Sequence, residues 1–164
     1  MASRALSIAL LALASLIAAA ALAATLTGSG RSASEDRAVS GYSGLALSIP
    51  ARVEIVQGTT EGLRITADDN LLAHIESVVE RGILELRWRE RPSSIRDARI
   101  RVIVNAKTLE SLAIAGSGDA TVWARDALRV NVAGSGDIRY FGDPTVQRNV
   151  VGSGSVRRVG AAPG

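Results

Sequence analysis

The chain has 164 residues, with 19 Lys plus Arg against 16 Asp plus Glu and 47% hydrophobic residues. That is enough for one domain with a buried core and a short extra segment. Aromatic residues make up only 3% and cysteine is absent, so the core is aliphatic. Disulfides, thiolate metal sites, a cysteine nucleophile and a lipidated N-terminal cysteine are excluded. Lys107 is the only lysine, and we read the arginine bias as genome composition.

Residues 1–23 read as a secretory signal peptide. Arg4 is the basic start, Ala5 to Ala20 the uncharged apolar run, and Ala21-Leu22-Ala23 the small-x-small pattern before a cut at Ala24. The run is nearly long enough for an uncleaved anchor, but its alanine richness and the cleavage pattern favour removal. Residues 24–36, "ATLTGSGRSASED", read as a flexible Gly/Ser-rich linker. The expected location is the periplasm or the medium of a Gram-negative bacterium.

From residue 37 to 160 the sequence reads as one domain of half-buried strands. Apolar and polar residues alternate in Leu45–Ile49, Arg52–Val56, Leu63–Thr66, Ile83–Trp88 and Arg99–Val104. Pro50, Gly58, Gly62 and Arg81-Gly82 separate them as turns. One segment breaks the alternation. In "DDNLLAHIESV", Leu71, Leu72 and Ile75 fall at helical spacing behind the possible caps Asp68, Asp69 and Asn70, which predicts a short helix near residues 69–76.

The C-terminal part repeats. Gly116, Gly134 and Gly152 each open a Gly-Ser-Gly, eighteen residues apart. Superposing the units aligns Ile114, Val132 and Val150 before the glycines, and Ala120, Ile138 and Val156 after them. Leu112 with Val130, and Val122 with Tyr140, extend the same columns. Two alternating strands around a fixed glycine corner predict a β-solenoid, in which each turn is covered by the next, about 4.8 Å away. The glycines let the backbone turn with φ > 0 in the same way in every unit, so that the corners also stack. Arg148 and Arg158 enter the apolar columns in the last unit, as expected of a cap that blocks further strand addition.

"GSGD" at Gly116 and Gly134, "DIRYFGDP" at Asp137–Pro144 and "DDNLLAHIESVVERGILEL" at Asp68–Leu86 together resemble the auto-transporter adhesin head-domain family, the GIN-type domain. The resemblance runs from "RAVSGYSGLALSIPARVEIVQG" to "VVGSGSVRRV". It implies an exported, right-handed parallel β-helix with no established activity. The chain departs from the family pattern in having fewer Gly-Ser-Gly turns before Tyr140–Pro144. No translocator barrel follows the repeats, so the expectation is a head domain and not a complete autotransporter.

No catalytic, cofactor or metal residue stands out. His74 is the only histidine and has no partner specified by the sequence. The Gly-Ser-Gly-Asp corners do not fit the nonapeptide calcium repeat, since the period is double and the third copy has Ser155. Neither a helix nor a lysine follows them, as a phosphate loop requires. Asp119 and Asp137 occupy equivalent corners about 5 Å apart, and we expect each carboxylate to accept hydrogen bonds from its own turn. If the strands Ile83–Trp88 and Arg99–Val104 are neighbours, Arg87, Arg89, Arg99 and Arg101 share one outward face. That face would meet an anionic glycan or lipopolysaccharide. Export and the shortage of aromatics argue against nucleic acid. The expected function is therefore a structural or adhesive binding module of the cell envelope, without catalysis. The alternative is a polysaccharide lyase or hydrolase on a β-helix, an analogy of fold alone.

Overall fold

The computed structural model describes residues 25–161; residues 1–23, read from the sequence as a signal peptide, lie outside them. Among the described residues no helix is long and apolar enough to cross a membrane. The chain is all-β. It opens with β1 (Thr25–Thr27) and β2 (Ser32–Arg37), followed by β3 (Gly44–Leu47), β4 (Arg52–Gln57) and β5 (Gly62–Asp68). One helical turn, α1 (Asp69–Leu72), precedes β6 (Ile75–Glu80), β7 (Ile83–Trp88), β8 (Ser94–Arg96) and β9 (Arg101–Ala106). The repeat region supplies β10 (Ser111–Gly116), β11 (Asp119–Trp123), β12 (Ala127–Gly134), β13 (Ile138–Phe141), β14 (Thr145–Gly152) and β15 (Val156–Gly160).

Two large sheets share one core. The six-stranded sheet has the order β14-β12-β10-β3-β7-β6 and the seven-stranded sheet the order β15-β13-β11-β4-β9-β5-β2. From β9 onward the chain alternates between them strand by strand. Period-two patterning decides which side chains meet inside: in β12, Leu128, Val130 and Val132 are buried while Arg129, Asn131 and Ala133 are exposed. Leu84, Leu112 and Val130 from one sheet join Val53, Val102 and Val122 from the other in a single buried cluster. Each such side chain contributes about 1.5–3 kcal/mol by leaving water.

The eighteen-residue period is the register of the sheets. Leu112 pairs with Val130 and Val130 with Arg148 on one side, Ala120 with Ile138 and Ile138 with Val156 on the other, all parallel. The columns continue into segments with no sequence repeat, through Leu45 and Leu84 and through Val53 and Val102. The two glycines of a corner do different jobs. Gly134 has φ +134°, a conformation that a side chain disfavours. Gly136 is buried, and a Cβ there would meet the carbonyl oxygen of Gly118 in the preceding unit. At the C-terminal edge Arg148 donates to the carbonyl of Val156, 3.4 Å away in the other sheet, and Arg158 to that of Gly142 at 2.6 Å.

Two expectations are corrected. The segment 24–36 is not a free linker over its described part. β1 pairs with β8, and β2 with β5 in antiparallel register. The loop between β1 and β2 is tied to the Asp68–Asn70 stretch: the buried Asp68 accepts from the Gly30 N–H, Asp69 from the Ser29 hydroxyl and Asn70 from the Ser29 N–H. These polar residues, read as helix caps, hold the N-terminal loop instead, and no side chain caps α1. The helix near 69–76 shrinks accordingly to Asp69–Leu72. Arg37 donates to the carbonyls of Leu72 and Ile75, and Ile75 enters β6 as a buried edge-strand residue opposite Trp88.

Candidate functional site

The topology separates the four arginines expected to share a face. β7 lies between β3 and β6 in the six-stranded sheet, whereas β9 lies between β4 and β5 in the seven-stranded sheet. Arg87 is enclosed by acids: its guanidinium donates to Glu76 at 2.9 Å and Glu85 at 2.8 Å, with Glu80 at 4.0 Å. The hydrogen bond to Glu76 and the surrounding negative charge raise its pKa. Arg89 follows β7 as an exposed residue, with its backbone N–H on the His74 carbonyl. Neither joins Arg99 and Arg101. His74 itself is only part-exposed, in the turn between α1 and β6.

Arg101 instead has a different neighbour. It stands in register with Arg52 of β4, and Asp119 of β11 stands on the other side of Arg52. Alternation turns all three outward, since the following residues Val102, Val53 and Ala120 are buried. With Thr66, Arg99 and Ile103 they line an open cleft of about 660 Å³. A smaller depression of about 340 Å³ continues it along the sheet, through Thr121, Asp137 and Arg139. Arg139 is in register with Arg157, so the outer face carries two arginine ladders with an aspartate pair between them. Among the described residues, ion pairs within 4.0 Å involve Arg31, Arg37, Arg64, Arg87, Lys107 and Arg158. Arg52, Arg99, Arg101, Arg139 and Arg157 make none. Like charges directly opposite in a sheet repel, and among the described residues neither Arg52 nor Arg101 forms an ion pair within 4.0 Å. Asp119, in register beside Arg52, is the nearest cross-strand carboxylate and is already engaged by the Asp137 N–H.

The aspartates are engaged in the scaffold, though not as expected. Asp119 accepts from the backbone N–H of Asp137 at 3.0 Å, and Asp137 from the N–H and hydroxyl of Ser155 at 2.9 and 2.6 Å. Each carboxylate therefore bonds to the next unit and not to its own turn, because the parallel stack places that amide one strand spacing away. The Ser155 hydroxyl, then its N–H, then the charges of Arg157 and Arg139 lower the pKa of Asp137. Among the described residues no three His, Asp or Glu side chains converge on a point that could hold a metal ion.

Sequence reasoning missed Arg52. Its outward position follows from the alternation in "RVEIV", but its value depends on which strand lies beside it, and that is a long-range fact.

Several solved structures resemble the chain. A "Putative lipid binding protein" from Parabacteroides distasonis shares 17% identity, with a TM-score of 0.49 over 82% of this chain and 99% of that one. A "putative adhesin" from Parabacteroides merdae shares 13%, with a TM-score of 0.47 over 84% and 100%. Another from Bacteroides fragilis shares 14%, with a TM-score of 0.49 over 82% and 100%. No curated protein matches the chain. The family described as "Putative auto-transporter adhesin, head GIN domain" matches residues 41–117 and 111–144, which is more than half of the sequence and includes β4, β9 and β11. The chain belongs to this GIN-domain family.

Proposed function

We propose that the protein is an exported, non-catalytic adhesive head, built as a right-handed parallel β-solenoid, that binds an acidic glycan. The outer face of the seven-stranded sheet is its recognition surface. The observation that carries this reading is the Arg52–Arg101 pair, held in register within an open cleft. Among the described residues the pair is without an ion pair within 4.0 Å, while the neighbouring Asp119 accepts from the Asp137 N–H. A carboxylate, sulfate or phosphate on a sugar chain would relieve the repulsion between the two guanidinium groups. Each planar fork can also grip such a group with two hydrogen bonds. Lipopolysaccharide phosphates offer the same chemistry. Family membership and the N-terminal apolar segment support export.

The test is retention of residues 24–164 on immobilised polygalacturonate, alginate and lipopolysaccharide, with neutral dextran as control. Retention on at least one acidic matrix, released by salt as screening requires and lost in R52A/R101A, is the expected result. Equal retention on dextran, or an unchanged double variant, would overturn the proposal.

A further inference from the structure

We infer that Trp123 and Phe141 form a stacking subsite for an uncharged sugar ring of the same glycan, an inference that rests on the acidic-glycan reading above. The two residues stand in register on β11 and β13, on the outer face of the seven-stranded sheet. Their rings stack at 5.4 Å between centroids and 12° between planes. Identically oriented rings on neighbouring strands would continue such a stack from strand to strand, but this one ends abruptly. Between Tyr140 and Phe141 the register against β15 shifts, so that Phe141 faces Gly160 and Val159 is displaced. Val159 is left 51% exposed.

Gly160 contributes no side chain over the Phe141 ring. A Cβ built there would sit 3.8 Å from Phe141 Cδ1, at ordinary contact distance. Among the described residues the bulge and the glycine thus leave the next position of the stack open to a ligand. Bulges recur where a side chain must be re-aimed beside a site. Val159, displaced by the bulge, flanks this position and is exposed and apolar, while the exposed Val56 lies at the far end of the shelf, beyond Trp123 on β4. The position suits a ring without charge. Trp123 Nε1 is buried without an acceptor, which leaves the ring surfaces as what this shelf offers. The C–H groups on one face of a pyranose carry partial positive charge and match the negative face of an aromatic ring.

The subsite is placed to work with the arginines. Trp123 lies four residues beyond Asp119, the register partner of Arg52, and the open position beside Phe141 lies three strands across from β4. That position is therefore about 13 Å along the strands and about 14 Å across them from Arg52, or about 20 Å in all. A short oligosaccharide could set an acidic group against Arg52 and Arg101 and lay a ring further along against Phe141. Such a ligand is chain-like, with charge at one end of the footprint and a bare ring face at the other.

Hexagalacturonate and its fully methyl-esterified form separate the two contributions, because they share rings and differ in charge. W88F leaves Trp123 as the only tryptophan, so its fluorescence reports binding. In this background, F141A and G160F should each weaken binding of the acidic form about three- to tenfold, the range of one aromatic stacking contact. G160F keeps the scaffold and occupies the open position with a protein ring, which guards against a folding artefact. The methyl ester should bind more weakly, be insensitive to R52A/R101A and be lost with G160F. If R52A/R101A weakens the acidic form while G160F leaves both forms unaffected, the stacking subsite is overturned and the arginine face stands. If neither form binds, the stacking subsite is overturned, and the arginine face then stands or falls by retention on the acidic matrices above.

Discussion

The two sheets share a core but turn different faces to solvent. On the six-stranded sheet the outward positions of β3 and β10 are small, as at Ala46, Ser111 and Ala113, β12 exposes Arg129 and Asn131, and Arg87 is surrounded by Glu76, Glu80 and Glu85. On the seven-stranded sheet Arg52 stands beside Arg101, and Arg139 beside Arg157, without ion pairs among the described residues. The same residue type is a scaffold element at Arg87 and a charge without an ion pair at Arg52 and Arg101, although the seven-stranded sheet also has the paired Arg64 of β5. The number of arginines does not make a basic face; strand order and the neighbours it supplies do.

The hardest way to break the comparison is to remove what both faces stand on. Val132→Asp places an unpaired charge at a position that is 2% exposed and removes apolar burial of about 1.5–3 kcal/mol. Thermal unfolding should show the domain unfolded, or its Tm lowered by more than ten degrees or so, with both faces lost together. A Tm near wild type would contradict the shared core.

Gly28→Val should reach one face only. A Cβ at Gly28 would lie 2.5 Å from the Asp97 carbonyl oxygen and 2.7 Å from Asp68 Oδ2, and Asp68 holds the backbone N–H of Arg99 at the rim of the cleft. The overpacking should cost about 1–3 kcal/mol in denaturant unfolding. Faster amide exchange should appear around Arg99 and not around Arg87.

Asp137 sharpens the comparison through pH. Its folded-state pKa is lowered, first by the Ser155 hydroxyl. Its contribution is therefore present above the ordinary Asp value of about 3.9 and is lost as pH falls through the lower folded value. The Tm difference between wild type and Asp137→Asn should be largest near neutral pH and shrink below about pH 4. A constant difference would show that the carboxylate's charge is irrelevant.

The smallest effect belongs to Asp119. Asparagine keeps the Oδ1 that accepts from Asp137 N–H, so Asp119→Asn should shift Tm by no more than a degree or two, whereas Asp119→Ala loses about 0.5–1.5 kcal/mol. Millimolar calcium or EDTA should leave all three proteins unchanged. A calcium-dependent rise in Tm, abolished by Asp119→Asn, would make this corner a metal site.

What the sequence made legible was local and periodic. The eighteen-residue spacing of Gly116, Gly134 and Gly152 is the observed register of β10, β12 and β14, because a parallel stack repeats its corner once per unit. The alternation in Ile83–Trp88 likewise gave the bounds of β7. What escaped was pairing between distant segments. "TGSGRSASED" has the composition of a linker, yet Asp68 and Asn70 bind its backbone from some forty residues away. Ile75 fits a helix period as well as it fits an edge strand, and pairing with β7 decides between them. The expected Arg87–Arg101 face failed for the same reason. Alternation gives the direction of a side chain, while its neighbour is set by strand order.

The most direct test of the central claim is a titration of ¹⁵N-labelled protein with hexagalacturonate, followed through backbone amide shifts. The largest changes should fall on Arg52, Thr66, Arg101, Ile103 and Asp119, on the strands that line the cleft, with Glu85 and Arg87 unmoved. Changes centred on Arg87 and Arg89, or none at saturating ligand, would contradict the claim.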